Sequence, residues 1–243
     1  MMQNLKAAVP DRCKRVLKRW RRAVCERCGS ARYSRPALNG LDRKLERYLD
    51  IDNGFFVEAG ANDGFQQSNT YYFEKLRGWH GVLVEPIPEL AAECRKNRRG
   101  PVVEAALVAE DTPGATVPIR FAGLMSVLAN PTASAIDPEQ HVRTGLEVQH
   151  LPGSYTVEVP ARTLSAILDE LGVTREIDLL SLDVEGAEPM ALRGLDLRRH
   201  GPRFICVEAR NRPEIDAALG STYEMVEVLT ECGLYQDLLF CRR

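Results

Sequence analysis

From residue 55 onwards, short apolar runs alternate with stretches in which apolar residues recur at helical spacing. Apolar runs bounded by Gly, Pro, Asn or Asp predict strands, and the helical spacing predicts helices between them. The predicted strands are, in chain order, FFVEAG, GVLVEP, PVVEAALVA, IDLLSLDVEG and RFICVEA. Nearly continuous apolar strands separated by helices are typical of a parallel sheet covered on both faces. The pattern therefore predicts an α/β fold with a doubly wound, Rossmann-like, mostly parallel sheet.

Two regions interrupt this alternation. Residues 114–129 have the pattern of an inserted hairpin, and residues 130–155 are rich in Pro, Gly, Ser, Thr and His, with weak periodicity. We expect a long loop in the second region, either a lid or a disordered segment. Farther on, SYTVEVPA predicts a strand, and Thr163 is a candidate N-cap of the following helix. The β-branched and aromatic residues of STYEMVEVLTECG, followed by DLLFCRR, favour a terminal antiparallel hairpin.

The N-terminal stretch follows a different pattern. Its apolar side chains recur at helical spacing while Lys and Arg fill the other face; they are Val16, Leu17, Trp20, Ala23 and Val24. This predicts a short basic amphipathic helix that ends before Pro36. A second, polar helix is predicted at about residues 41–49. We therefore expect a basic helical arm at residues 1–50 and a main domain at residues 51–243.

The charge of the chain is unevenly distributed. The formal net charge is −2, but residues 1–35 hold eleven Lys and Arg against two acidic residues. That is +9 for this segment and −11 for the remainder. A strongly basic arm on an acidic body indicates a separate role for the arm, such as contact with an anionic membrane surface. Docking on the acidic body of the same chain explains the charge nearly as well.

Other features of the composition bear on where the chain works. No apolar run approaches the ~18–20 residues that span a bilayer, and the N-terminus lacks the apolar stretch of a signal peptide. Seven cysteines at loose spacing favour reduced thiols rather than a disulfide framework. These observations predict a cytoplasmic protein that is at most peripheral at the membrane.

The loop EAGANDG follows the first predicted strand and contains small and acidic residues. In a doubly wound sheet, ligands bind at the carboxyl ends of the strands, where Gly60 and Gly64 would let the backbone approach a ligand closely. The spacing is G-x-x-x-G, so the dinucleotide fingerprint G-x-G-x-x-G is absent. Glu58 and Asp63 would repel a phosphate and would suit a ligand that carries an ammonium group.

A carboxylate after the second predicted strand supports the same interpretation. Glu85 ends the second predicted strand, 25 residues after Gly60, where a carboxylate can accept hydrogen bonds from both hydroxyls of a ribose. A nucleoside with an amino-acid tail and no phosphate satisfies both features. S-adenosylmethionine is such a ligand.

The motifs carry a resemblance to a known family. VEAGANDG, SNT, GVLVEP and KNR, together with IDLLSLDVEGAE, resemble the FkbM family of class I S-adenosylmethionine-dependent methyltransferases. The resemblance covers roughly residues 53–242 and implies O-methylation of a sugar, a glycolipid or a natural product. It also implies that Glu85 holds the ribose. The residues that would contact the rest of the cofactor are Glu58, Gly60, Asn62, Asp63, Gly64, Ala105 and Ala106.

Candidate catalytic residues follow the later strands. Asp183, in LSLDVEG, is placed to act as general base, to bind the substrate hydroxyl or to hold a divalent cation. Glu208, in VEARN, could share such a cation with it, although an ion pair with Arg210 explains Glu208 better. His150, and with it His141, lies in the long segment, and either could be a base over the cleft. A divalent metal is thus considered but not favoured.

The sequence therefore predicts an S-adenosylmethionine-dependent O-methyltransferase that acts on a hydroxyl of a sugar, glycolipid or related glycoconjugate. One alternative is a nicotinamide-dependent oxidoreductase, which the missing fingerprint disfavours. Another is a protein that binds or methylates RNA through its basic arm. Nucleic acid is not favoured as a partner, because the arm offers only Trp20 and Tyr33 for base stacking. The sequence does not indicate whether the protein forms a homo-oligomer.

Overall fold

The computed structural model describes residues 11–129 and 136–243, and its main sheet has seven strands. These strands are β1 (Phe55–Ala59), β2 (His80–Val84), β3 (Val102–Val103), β8 (Leu179–Leu182), β9 (Phe204–Ala209), β10 (Tyr223–Cys232) and β11 (Tyr235–Arg242). Their order in the sheet is β10-β11-β9-β8-β1-β2-β3. The strands are parallel except for β11, which is antiparallel to both β9 and β10. The doubly wound sheet and the terminal antiparallel hairpin are both confirmed.

Helices cover both faces of this sheet. They are α2 (Leu41–Glu46), α3 (Tyr71–Leu76), α4 (Pro88–Asn97), α6 (Leu164–Glu170), α7 (Glu188–Arg193) and α8 (Arg212–Leu219). One face packs Val57, Val82 and Leu180 against α6, α7 and α8, while the other packs Phe56 and Leu83 against α2, α3 and α4. Because side chains of a strand alternate between its faces, the continuous apolar runs of the sequence supply both cores.

The chain reverses its direction of winding at β1. From β1 it proceeds through α3 to β2 on one side, and β8 pairs with β1 on the other side. The loops after β1 and β8 therefore lead to helices on opposite faces of the sheet, α3 and α7, and a crevice forms at the carboxyl ends of these strands. In open α/β sheets this switch point is where ligands bind.

A small second sheet lies beside the crevice. It contains β4 (Ala106–Leu107), β5 (Thr116–Arg120), β6 (Val127–Leu128) and β7 (Thr156–Arg162), in the order β4-β7-β5-β6. The inserted hairpin predicted at residues 114–129 is confirmed as the antiparallel pair β5 and β6. The single strand predicted for PVVEAALVA is wrong, because the chain leaves the main sheet after β3 and joins the second sheet as β4.

The segment predicted as a long loop contains a helix, α5 (Pro138–Gln149). Its ends carry ordinary signals that the weak periodicity obscured. The Asp137 side chain accepts a hydrogen bond from the Glu139 backbone N–H, and Pro138 occupies the first turn. His150 ends the helix in the left-handed conformation. Residues 130–135, also part of the predicted loop, lie outside the described residues.

The N-terminal helices differ in how they join the body. In α2, Leu41 and Leu45 are buried in one of the two cores of the main sheet, together with Leu49 just beyond the helix. The helix α1 (Asp11–Arg27) instead contacts the body mainly through charged side chains. The predicted division of the chain at residue 50 stays a prediction, although the structure places residues 41–49 against the main sheet. In the described part of the chain, no helix is long and apolar enough to cross a membrane.

Candidate functional site

A cavity opens at the switch point of the main sheet. Its walls come from the ends of β1, β2 and β8, from the second sheet and from the segment before α3. Five residues predicted to contact a cofactor line it: Gly60, Asn62, Glu85, Ala105 and Ala106. The cavity therefore brings together residues that are far apart in the chain.

Gly60 permits the close approach of two loops at this edge. Its φ is +84°, and a Cβ atom at this position would lie 1.7 Å from the backbone oxygen of Asp183. The Asp183 backbone N–H in turn donates to the oxygen of Ala59 at 3.1 Å. No L side chain fits there, so glycine at this position keeps the loop after β1 against the loop after β8.

Glu85 holds the loop after β1 to the end of β2. Its two carboxylate oxygens accept hydrogen bonds from the backbone N–H groups of Asn62 (2.7 Å) and Ile87 (2.9 Å). Burial raises the pKa of the Glu85 carboxyl to about 7, although these two hydrogen bonds favour its ionised form. Each oxygen retains a second lone pair, so the carboxylate can also accept hydrogen bonds from a ligand in the cavity.

Glu58 points away from this cavity into a buried polar network. Its carboxylate accepts hydrogen bonds from Ser68, Thr70 and the Asn69 backbone, and it pairs with Arg98 at 2.7 Å. These contacts occupy both oxygens, so the geometry favours a role in shaping the loop over contact with a ligand. The charge of Glu58 had suggested an ammonium partner, but the guanidinium of Arg98 supplies the positive charge.

Asp63 and Gly64 help to fix the conformation of the loop after β1. One oxygen of Asp63 accepts hydrogen bonds from the backbone N–H groups of Phe65 (2.8 Å) and Gln66 (2.7 Å), which closes a turn. A Cβ atom at Gly64 would lie 2.8 Å from the sulfur of Cys94, so α4 packs directly on this glycine. Neither residue lines the cavity, and their predicted contact with a cofactor stays a prediction.

A second cavity adjoins the first and shares part of its wall. Gln67, Leu124, Asp183 and Glu185 line both cavities. The second is completed by α5 and by side chains at the end of β9 and the start of β11, including Glu208, Arg210 and Tyr235. Asp183 therefore stands where the two cavities meet.

Carboxyl groups concentrate negative charge at this junction. Burial and the neighbouring Glu208 and Glu185 carboxylates raise the pKa of Asp183 well above its ordinary value. Burial, with Glu185, likewise raises the pKa of Glu208 to about 8, although Arg210 acts in the opposite direction. Among the described residues, Asp183 Oδ1 is buried without a hydrogen-bond partner. Perturbed carboxyl groups in a cleft are typical of functional sites.

Arg210 and His141 add two more unsatisfied groups to the second cavity. Arg210 pairs with Glu208 (2.7 Å) and Glu185 (2.9 Å), so the ion pair predicted as the alternative for Glu208 is present. His141 Nε2 lies 3.0 Å from a Glu185 oxygen without the geometry of a hydrogen bond. Within the described part of the chain, Arg210 Nε and His141 Nε2 are both buried and lack a hydrogen-bond partner.

His150, the histidine predicted as a catalytic base, lies elsewhere. It is exposed at the C-terminus of α5 and lines neither cavity. The helix explains this placement, because His141 and His150 lie on different sides and at opposite ends of α5. The structure therefore brings His141, and not His150, to the candidate site.

Comparison with known proteins decides the family. The model of the methyltransferase FkbM domain matches residues 58–234, which is most of the chain. The chain belongs to the FkbM methyltransferase family. This assignment favours methyl transfer over the nicotinamide-dependent oxidation that the sequence had left open. A search of curated proteins gave no match.

Among the solved structures that the chain matches, several are named as methyltransferases. A TehB-like SAM-dependent methyltransferase from Corynebacterium glutamicum is 11% identical, with 97% of this chain and 100% of that chain covered and a TM-score of 0.43. A 1,6-didemethyltoxoflavin-N1-methyltransferase from Burkholderia thailandensis, with bound S-adenosylhomocysteine, is 14% identical. The match covers 97% of this chain and 91% of that chain, with a TM-score of 0.41. At these values the family assignment rests on the domain match.

The FkbM protein is thus an S-adenosylmethionine-dependent methyltransferase, and its cavity fits this cofactor. The loop at Gly60 leaves room for a close ligand, and the Glu85 carboxylate faces the cavity. Asn69 also lines the cavity, and among the described residues its buried Oδ1 has no hydrogen-bond partner. An unpaired acceptor oxygen suits the ammonium group of the methionine moiety.

Two residues with clear partners at this edge, Asn69 and Arg98, are not among those predicted from the sequence to form the site. Both belong to motifs quoted for the family resemblance, Asn69 to SNT and Arg98 to KNR. Asn69 Nδ2 donates to the Ser181 hydroxyl at 3.0 Å, and Ser181 lines the same cavity. The polar residues of these two motifs were the signal in the sequence that could have pointed to Asn69 and Arg98.

No group of three or more His, Cys, Asp or Glu residues in the described ranges could hold a metal ion. Glu208 is turned to Arg210, and the Asn211 amide donates to Glu214, so these side chains have protein partners. The observed partners of Glu208 and Asn211 therefore explain both residues without a cation.

Proposed function

We propose that the protein transfers a methyl group to a hydroxyl of a sugar, in a glycolipid or a related glycoconjugate. The observation that supports this proposal is the position of Asp183. Its unpaired, buried oxygen lies between a cavity suited to the methyl donor and a second cavity lined by polar side chains. A base between donor and acceptor is what O-methylation requires.

On the donor side, the residues of the first cavity would divide the cofactor between them. The Glu85 carboxylate would accept hydrogen bonds from the two ribose hydroxyls. Gly60 and Asn62 would border the methionine moiety, with Asn69 Oδ1 accepting from its ammonium group. The small side chains of Ala105 and Ala106, both buried in the wall of the cavity, would leave a flat slot for the adenine.

The chemistry assigned to the chain is proton removal. S-adenosylmethionine supplies an electrophilic methyl group on a positively charged sulfur. Asp183 would accept the proton of the acceptor hydroxyl as the oxygen attacks, and it must be ionised to do so. Burial raises the pKa of Asp183 in the free protein, whereas a positive charge nearby lowers it. Binding of the cationic donor would therefore prepare the base.

The second cavity has the chemistry of a site for an uncharged polyol. Arg210 Nε and His141 Nε2 can donate hydrogen bonds, and Glu208 can accept them. The ring of Tyr235 gives this wall an apolar surface beside the polar groups. Three carboxyl groups face one arginine, so this cavity lacks the excess positive charge that a phosphorylated or otherwise anionic acceptor would need. A sugar ring with several hydroxyls matches these properties.

Product analysis tests the proposal. The full-length protein is incubated with methyl-labelled S-adenosylmethionine and, in separate reactions, with lipid, glycan and RNA extracts. We expect label in the lipid or glycan fraction, and acid hydrolysis should release it as an O-methylated monosaccharide. Label in RNA, in a methyl ester that alkali removes, or on a nitrogen atom would contradict the proposal. Heat-inactivated protein and S-adenosylhomocysteine as inhibitor are the controls.

A further inference from the structure

The helix α1 turns its apolar face away from the protein. Four large apolar side chains of this helix are exposed: Val16 (62%), Leu17 (58%), Trp20 (65%) and Val24 (39%). They lie within one arc of the helix, which we call the outer stripe. An amphipathic helix of a globular protein ordinarily buries this face against the core.

The contacts of α1 with the body come from the opposite side. The Arg22 guanidinium lies 3.5 Å from the centre of the Phe65 ring, and Glu26 accepts hydrogen bonds from Tyr71 (2.9 Å) and Ser34 (2.7 Å). Arg22 follows Trp20 by two residues, and Glu26 follows Val24 by two residues. Each of these charged side chains therefore lies about 200° around the helix from its apolar counterpart. The charged face thus docks the helix, while the described part of the chain leaves the outer stripe exposed to an external partner.

The charge of α1 selects the kind of partner. The helix carries eight Lys and Arg against two acidic residues, and Lys18 and Arg27 are exposed beside the outer stripe. A second copy of the chain would bring two strongly cationic helices together, which is unfavourable. Nucleic acid would match the charge but not the aliphatic side chains of Val16, Leu17 and Val24. An anionic lipid surface matches both, since cations contact the headgroups and the apolar face enters the acyl boundary.

We propose that α1 is an interfacial helix that holds the protein on an anionic membrane through the outer stripe. The helix docks next to the cofactor cavity, because Phe65 and Tyr71 flank Gln66, Gln67, Ser68 and Asn69, which line that cavity. Membrane binding would therefore bring the candidate site close to lipid-borne acceptors.

Vesicle binding by the full-length protein tests this inference. Flotation is measured with phosphatidylcholine vesicles, with and without phosphatidylglycerol, at low and high salt. We expect binding only with phosphatidylglycerol, and weaker binding at high salt. Leu17→Ser should lower the partition coefficient about tenfold, and Lys18→Glu about fivefold or more. All these residues are exposed, so circular dichroism should show unchanged folding.

A matched control and a direct probe make the test specific. Val24 and Val226 are each 39% exposed, but Val226 lies on β10, far from α1 in the sequence and outside the outer stripe. Val24→Ser should weaken binding and Val226→Ser should not. Trp20 is exposed while Trp79, the other tryptophan, is buried, so a blue shift of emission on binding should vanish in Trp20→Phe.

Several results would overturn the inference. One is the absence of binding between full-length protein and anionic vesicles at low salt. Another is equal vesicle binding by Val24→Ser and Val226→Ser. A dimer in sedimentation analysis that Leu17→Ser dissociates would assign the outer stripe to a second copy. Binding to RNA of similar strength, lost in the same variants, would assign it to nucleic acid. Because no readout involves methyl transfer, these results are independent of the proposed function.

Discussion

Replacing Arg98 with methionine removes the centre of the network that shapes the cofactor loop. The Arg98 side chain is fully buried and pairs with Glu58 (2.7 Å) and Glu74 (2.9 Å), and it also donates to Thr70 (2.7 Å). Methionine has a similar length but no charge, so the variant leaves buried Glu58 without its cation and buried Glu74 with Lys75 alone. Glu58 lies one residue before the end of β1, and the loop that follows the strand carries Gly60 and Asn62.

The magnitude follows from these contacts. Removing one partner of a buried ion pair costs about 3–5 kcal/mol of unfolding free energy, because the remaining charge stays buried. A domain of this size loses about 2–4 °C of melting temperature per kcal/mol, so Arg98→Met should melt some ~6–20 °C below the wild type. The exposed pair of Arg95 with Glu104 (2.6 Å) provides the control, and Arg95→Met should lose no more than about 1 kcal/mol.

The pH dependence separates this explanation from simple loss of packing. Burial acts to raise the pKa of Glu74, but Arg98 and Lys75 hold it below its ordinary value. The ion pair of Glu74 with Arg98 therefore stabilises the protein at pH values above the ordinary pKa of Glu74, and this stabilisation is lost in acid. In Arg98→Met the pKa of Glu74 should rise instead, and protonation should relieve the cost. Chemical denaturation at pH 5 and pH 8 should therefore show a smaller difference between variant and wild type in acid. A loss of stability equal to that of Arg95→Met, or one that is the same at both pH values, would refute the reasoning.

Further predictions concern Gly60 and Glu85 in the first cavity. Gly60→Ala should lower the free energy of unfolding by at least ~1–2 kcal/mol from the left-handed backbone alone. It should also abolish cofactor binding, because its Cβ would collide with the Asp183 backbone. Gly153→Ala, which lies in open space at ordinary φ, is the control and should change neither the thermal melt nor the affinity measured by calorimetry. Glu85→Gln should weaken S-adenosylmethionine binding by about 1.5–3 kcal/mol, roughly 10- to 150-fold, and unchanged calorimetric affinity would remove Glu85 from the site. Because the pKa of Glu85 is about 7, cofactor affinity should fall as pH drops from 8 to 6, and Glu85→Gln should flatten this dependence. For the same reason, the free protein should lose stability as pH rises from about 4.5 to 7, since the unfolded chain gives up this proton first.

The sequence predicted those elements whose signal is local. Each apolar run of the main sheet became a strand, and the β-branched residues of the C-terminus formed the hairpin of β10 and β11. The helix α5 was missed because its periodicity is weak, although Asp137 and Pro138 are ordinary start signals. The split of the third predicted strand was not predictable from periodicity, since only pairing with β7 draws Ala106 out of the main sheet.

The candidate site was predictable to the extent that sequence position fixes side-chain direction. Glycine and small residues after parallel strands must lie at the carboxyl edge, and Gly60, Ala105 and Ala106 do line the cavity. The direction of Glu58 depends on Arg98, forty residues later, and no local pattern reveals that partner. His141 depends likewise on the packing of a helix that the sequence did not predict.

The kinetics of Asp183→Asn test the central claim most directly. Asparagine keeps the shape of the side chain but cannot accept the proton of the acceptor hydroxyl. The affinity for S-adenosylmethionine, measured by calorimetry, should stay close to that of the wild type. The rate of label transfer to the sugar-bearing fraction should fall about 10²–10⁴-fold. A rate within tenfold of the wild type, or a loss of cofactor affinity large enough to explain the slower transfer, would contradict a base at the junction of the two cavities.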